Sequence, residues 1–318
     1  MSVEKFKETI AAGYPAQGTY ITLGGAMYEG AVIKDLLVNI PLKNLNRHGL
    51  IAGATGTGKT KTLQSLTENL SKAGVPTLLM DLKGDLSGIA AIGEEKSFIK
   101  ERHAQMNLPY TPEAFPVELL TISKQDGVRL RATVSEFGSV LLSRILDLSD
   151  VQEGVLAVIF KYCDDHQYPL LDLKDLKKVL QYATEEGKSE FEAEYGRVAS
   201  SSTSAILRKI VELENQGAEL FFGERSFETE DLLHTDEKGR GVVNIIRLTD
   251  IQDRPKMFST FMLCLLAEIY NTFPEIGDQE KPKLVIFIDE AHLIFNQASK
   301  ALLNQLENIV KLIRSKGV

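Results

Sequence analysis

Residues 48–60 read HGLIAGATGTGKT, and Gly53-Ala54-Thr55-Gly56-Thr57-Gly58-Lys59-Thr60 within them fits G-x-x-x-x-G-K-[ST] without a mismatch. Each residue type has a physical reason. Glycines let the backbone curl until successive N–H groups point inward, which makes an anion nest. The helix that starts at the end of the motif adds its positive dipole end. The Lys59 ammonium reaches phosphate as a point charge, and the Thr60 hydroxyl is placed to ligate Mg²⁺. Residues 48–53 are apolar and end in glycine, which predicts a strand entering the loop. Residues 59–73 carry Leu63, Leu66 and Leu70 on one face, which predicts a helix leaving it. Gly53 to Thr60, with Lys61 beside them, are therefore the candidate nucleotide contacts.

Working outward, VPTLLMD (75–81) is an apolar run of the kind that forms a buried parallel strand. VELLTI (117–122) and GVVNIIRL (241–248) read as strands too. Residues 18–40 read as short strands punctuated by Gly24, Gly25 and Gly30. Residues 82–128 are otherwise mixed, with Pro109, Pro112 and Pro116 ahead of VELLTI. From about 136 to 217 apolar residues recur at helical spacing. RPKMFSTFMLCLLAEIY predicts an apolar helix with Pro255 in its first turn. KALLNQLENIVKLIRSKG predicts an amphipathic one that stops at Gly317. Strand and helix alternate at both ends of the chain, which predicts an α/β fold with a parallel sheet. The expected division is a small N-terminal β unit (1–45), a first core segment (46–128), a mainly helical insertion (129–238) and a second core segment (239–318).

KLVIFIDEAH (283–292) predicts a buried strand ending in Asp289-Glu290. Two adjacent carboxylates at the tip of a buried strand are costly unless they meet a cation or water. Beside a phosphate loop they have work to do. Asp289 is the candidate Mg²⁺ ligand together with Thr60, and Glu290 the candidate general base that deprotonates the attacking water. Lys59, Asp289 and Glu290 form the expected catalytic set, with ATP and Mg²⁺ as the expected ligands.

These motifs resemble those of the HerA/FtsK superfamily of DNA-pumping ATPases. LGGAMYEGAVIKDL and RHGLIAGATGTGKT are similar to the entry of that motor core, DLKGDL (81–86) to its acidic-Lys-Gly motif, and FIDEAH (287–292) to its Walker B strand. RATVSEFGSVLLSRIL, QEGVLAVIF, LDLKDLKKVL, GRGVVNI and LIRSKGV resemble a narrower bacterial set of HerA-helicase-like proteins. The resemblance implies a RecA-like P-loop NTPase of the additional-glutamate division, assembled as a hexameric ring in which a neighbour supplies an arginine. Arg314 is one candidate for that arginine, and Arg47 and Arg254 are others. Lys83 and Asp85 of the DLKGDL stretch are candidates for γ-phosphate contact or subunit coupling, or belong to a polar turn, and Asp81 at its start is a further candidate site residue. His292 is either a relay from the acids or a satisfied structural histidine. In the resembling proteins a strand with a polar sensor residue follows Walker B and lies between that strand and the P-loop strand. The sequence stops at Val318, where this strand is due, and the expectation is a front portion of a longer protein.

Composition bounds the partners. At 43% hydrophobic and 25% charged, the 318 residues are ordinary globular material. No apolar run reaches the roughly 18 residues that span a bilayer, and the first residues do not form a secretory signal. Two cysteines, Cys163 and Cys264, are too few for a disulfide scaffold or a thiolate metal site; both sit in apolar helical patterns and read as buried thiols. A cytoplasmic setting is expected. A net charge of −8 gives no overall pull toward nucleic acid, and the chain has no tryptophan for base stacking. DNA as the substrate therefore rests on the resemblance, and an ATPase acting on protein partners stands beside it. Glu290 argues against a nucleotide-bound scaffold without turnover.

Overall fold

The computed structural model describes residues 1–277, 279–292 and 300–318. At its centre is a five-stranded parallel sheet of β3 (Thr77–Asp81), β4 (Val117–Thr121), β5 (Val128–Arg129), β6 (Val243–Arg247) and β7 (Val285–Ile288) in the order β5-β4-β6-β3-β7. An antiparallel hairpin, β1 (Tyr20–Tyr28) with β2 (Ala31–Pro41), precedes it. The α/β class and the N-terminal β unit are as the sequence predicts. The hairpin is preceded by a helix not foreseen, α1 (Val3–Gly13), whose first turn is capped by the Ser2 hydroxyl.

Two layers cover the sheet. Helix α2 (Lys59–Lys72) lies on one face, where Leu63 packs with Leu79, Val243 and Ile245. Further along, α2 turns Leu70 toward Val75, Ile21 and Leu42, joining the hairpin to the sheet. A short helix, α3 (Ser97–Met106), reaches the hairpin, where the Met106 side chain lies over Gly25. The opposite face carries α4 (Val134–Ile145), α5 (Asp150–Asp165), α6 (Leu173–Tyr182), α7 (Lys188–Glu194), α8 (Ser200–Asn215), α9 (Pro255–Thr272) and α10 (Lys300–Ile313). Leu78, Met80 and Ile246, pointing the other way from Leu79 and Ile245 by strand alternation, share one continuous core with these helices. The helices of 134–215 thus close one side of the sheet.

Two strand expectations change. β3 is fully buried, but β7 is only half-buried, because it pairs with β3 on one side and ends the sheet on the other. Residues 48–53 form no strand. An apolar run supplies burial potential, but a strand also needs a neighbour's backbone groups, and no described strand pairs with this segment or with the outer edge of β7. It is held instead by His48, whose Nε2 donates to the Val310 carbonyl of α10 at 2.7 Å. Leu50 is left 88% exposed.

Candidate functional site

Parallel strands place all their C-terminal ends on one edge, and this edge carries the DLKGDL turn after β3 and Asp289-Glu290 after β7. Gly58 is the left-handed residue immediately before α2, with φ of +98°, and Gly56 has φ of +81°. At neither position would a Cβ meet anything within 4 Å, so the positive φ and not crowding calls for glycine there. Gly53 is different: a Cβ there would lie 2.4 Å from the Thr57 hydroxyl, which itself donates to the Ala54 carbonyl at 2.8 Å. Lys59 folds back over its own loop and donates to the carbonyls of Gly53 at 2.9 Å and Ala54 at 3.0 Å. Thr60 is half-buried in the first turn of α2. Thr55 is exposed on the loop, and Lys61 points away to the Gln64 amide oxygen.

Asp289 and Glu290 follow β7 directly. Glu290 has φ of +50°, a left-handed conformation that a residue with a Cβ rarely adopts. The Glu290 N–H donates to Asp289 Oδ1 at 3.0 Å, while Asp289 Oδ2 is buried with no hydrogen-bond partner. Burial pushes the Asp289 carboxyl above its ordinary range, and the neighbouring Glu290 charge adds to this. The hydrogen bond from Lys83 holds Glu290 below its own, helped by the charges of His292 and Lys59. Neighbouring carboxyls driven in opposite directions are a mark of divided chemical roles. His292 Nδ1 lies 3.2 Å from Glu290 Oε2.

The DLKGDL stretch is a braced turn. Asp81, only 1% exposed, accepts from the Gly84 N–H at 2.7 Å and the Leu86 N–H at 3.3 Å. Asp81 therefore serves its own turn rather than facing outward. Asp85 contributes its carbonyl, which accepts from Gln64 of α2 at 3.0 Å. Gln252 donates to the Leu82 carbonyl. Gln64 and Gln252, which tie the phosphate-loop helix and the β6–α9 connection to this turn, were not foreseen. The available signal for Gln64 was a polar side chain next to Leu63 on the inward face of α2. Arg314 lies in the short turn Arg314–Lys316 after α10, Arg47 is exposed ahead of the loop, and Arg254 lies at the start of α9, 3.9 Å from Asp253.

From residue 30 to residue 318 the sequence matches the helicase HerA-like C-terminal family. The chain belongs to that family. No curated protein matches the sequence. Among solved structures, this HerA-like chain is similar in fold to the bacterial conjugative coupling protein TrwBdeltaN70 in its unbound form. That match has 17% identity and a TM-score of 0.57, and spans 100% of this chain and 67% of the other. The plasmid coupling protein TrwB in complex with the non-hydrolysable ATP analogue ADPNP matches at 15% identity and TM-score 0.54, over 100% of this chain and 76% of that one. VirB4 of Thermoanaerobacter pseudethanolicus matches at 15% and 0.50, over 96% and 76%. At these identities the likeness is one of fold. No helix among the described residues is long and apolar enough to cross a membrane.

Proposed function

We propose that this HerA-like chain binds and hydrolyses ATP with Mg²⁺, as the core of a ring-shaped motor that acts on DNA. One observation carries the hydrolytic part: an ion-paired Glu290 and a half-buried Asp289 whose Oδ2 has no donor stand together beyond β7, close enough to the phosphate loop for the Lys59 charge to act on Glu290. The residues fit a metal ion. Asp289 Oδ2 is a buried acceptor without a donor, which an ion would satisfy. The described residues contain no cluster of three or more acidic, histidine or cysteine ligands. Mg²⁺ suits such a sparse site, because it takes one or two protein ligands and completes its shell with phosphate and water.

In this reading the N–H groups of Gly53 to Lys61 hold the phosphates, and Lys59 leaves its loop carbonyls for the β- and γ-phosphates. Thr60 and Asp289 hold Mg²⁺, which supplies charge to offset that building up on the phosphate oxygens. Glu290 takes the proton of the attacking water. The neighbour's arginine is sought among Arg314, Arg47 and Arg254, and a ring of six subunits follows from the family resemblance. The two free cysteines support a cytoplasmic setting.

A DNA-stimulated ATPase assay tests the motor. Turnover that rises severalfold with duplex or single-stranded DNA, and falls steeply with salt, supports it. A rate unmoved by any DNA rejects DNA as the substrate. The net charge of −8 favours the second reading, an ATPase acting on a protein partner, which that result would leave standing. Mass measurement with and without nucleotide tests the ring, and a monomer in both states rejects it.

A further inference from the structure

Lys83 stands two residues beyond β3, and Glu290 two beyond β7. These strands are parallel neighbours with Met80 opposite Ile288, so the turns that follow them leave the same edge of the sheet, with Lys83 three residues beyond that pair and Glu290 two. The Lys83 ammonium hydrogen-bonds Glu290 Oε1, and His292 Nδ1 faces Oε2. Both oxygens of the carboxylate assigned to activate water are therefore engaged. The ground under Lys83 is fixed: Asp81 gathers the N–H groups of Gly84 and Leu86, while Gln64 and Gln252 tie the carbonyls of Asp85 and Leu82 to the rest of the site. What is left to move is the side chain itself, a flexible four-carbon stem that is 53% exposed, against 19% for Glu290.

We propose that Lys83 is a positioning residue that latches Glu290 while the phosphate site is empty, and that the γ-phosphate of ATP draws the ammonium off the carboxylate. Phosphate oxygens are strong acceptors for an ammonium, and the γ-phosphate is the group that ADP lacks. With ADP or no nucleotide the latch stays shut and Glu290 remains paired. With ATP the carboxylate is released toward the attacking water. No covalent bond changes in this exchange; one ion pair replaces another. The proposal rests on the assignment of the phosphate loop and of Glu290 given above.

The test is a double-mutant cycle read in binding rather than turnover. Affinities for ADPNP and for ADP, each carrying a fluorescent label on the ribose, are measured with Mg²⁺ on the full chain. The variants are Lys83→Met, Lys83→Arg, Glu290→Gln and the Lys83→Met/Glu290→Gln pair. Partly exposed ion pairs are modest, so the expected changes are about threefold to fivefold. Lys83→Met weakens ADPNP by that factor and leaves ADP unchanged, and Lys83→Arg restores the wild-type ratio. Glu290→Gln, which opens the latch, tightens ADPNP, and the tightening vanishes in the double variant. An ADPNP-to-ADP ratio unmoved by Lys83→Met overturns the proposal. So does a Glu290→Gln tightening that persists without Lys83, because it then reflects only relief of repulsion between carboxylate and phosphate. Lys59→Ala separates the two levels: if it weakens both nucleotides while Lys83→Met does nothing, the latch alone fails, and if it weakens neither, the nucleotide reading fails.

Discussion

Lys59 donates to the carbonyl of Gly53, six residues back, at 2.9 Å, so the loop's cation closes over the loop's own entrance. A second bond to the Ala54 carbonyl completes the closure. An ammonium that folds onto neutral carbonyls moves readily to phosphate, because the phosphate adds the attraction of opposite charge that a neutral carbonyl lacks. Lys59→Ala is expected to weaken nucleotide binding about 10- to 100-fold, the range for losing a hydrogen bond to a charged group. Calorimetric titration with ADP and Mg²⁺ checks it. The melting temperature without nucleotide is expected to stay near wild type, since both carbonyls lie on an exposed segment that water can serve.

The acids beyond β7 divide into two expected phenotypes. Glu290→Gln keeps the shape of the side chain and removes the base. Turnover is expected to fall about 10²- to 10⁴-fold, the usual contribution of a positioned general base, while nucleotide is still bound. Asp289→Asn removes the charge that would hold Mg²⁺, so the stimulation of nucleotide binding by Mg²⁺ is expected to drop. Steady-state kinetics and titrations with and without Mg²⁺ separate the two. If the Glu290→Gln protein turns over normally, the base lies elsewhere.

What was legible in the sequence is what is encoded locally. The curl of Gly53 to Thr60, the helix with Leu63 and Leu70 inward, and Asp289-Glu290 at the end of VIFI all follow from residues a few positions apart. The hairpin is punctuated by its own glycines. α3 is not legible in the sequence because only Met106 of its ten residues is buried, which leaves no apolar stripe to read. The strand expected at 48–53 does not form because pairing depends on a neighbour the segment itself does not specify. The meeting of Lys83 with Glu290 spans 207 positions. It exists only because β3 and β7 are adjacent, a fact of sheet order and not of either motif.

Asp81 opens the DLKGDL stretch, and its geometry gives it a structural task. Its carboxylate satisfies two N–H groups of the turn that carries Lys83. Gly84 in that turn has φ of +81°, and a Cβ there would come within 3.2 Å of the Thr249 methyl. Asp81→Ala orphans the two donors in a buried place, so a loss of stability of about 1–3 kcal/mol is expected. Asp81→Asn retains one acceptor oxygen and is expected to lose less. Urea denaturation of both variants measures the difference. Equal, negligible losses would mean that water replaces the carboxylate and that the turn does not depend on it.

Burial also governs the two thiols, and it gives the stability a direction with pH. Cys163 on α5 is 2% exposed, and desolvation pushes its thiol up to about 11 from an ordinary 9.0. Cys264 on α9 is only partly buried, against the expectation of two buried thiols, yet desolvation raises it too, well above that value, with Glu268 adding to it. A thiol raised by folding holds its proton in the native state after the unfolded chain has lost it. Its contribution is thus fully present below the unfolded value, about pH 9, and is lost as pH climbs through the folded value, about 11 for Cys163. Cys163 of the native protein is expected to react negligibly with a thiol reagent such as DTNB at pH 8, and to react once urea unfolds the chain. Melting temperatures taken from pH 8 upward are expected to fall more steeply for wild type than for Cys163→Ala, whose buried position no longer titrates. Rapid labelling of Cys163 in the folded protein at pH 8 would place it outside the core, and an identical alkaline slope in the variant would assign the loss of stability to other groups.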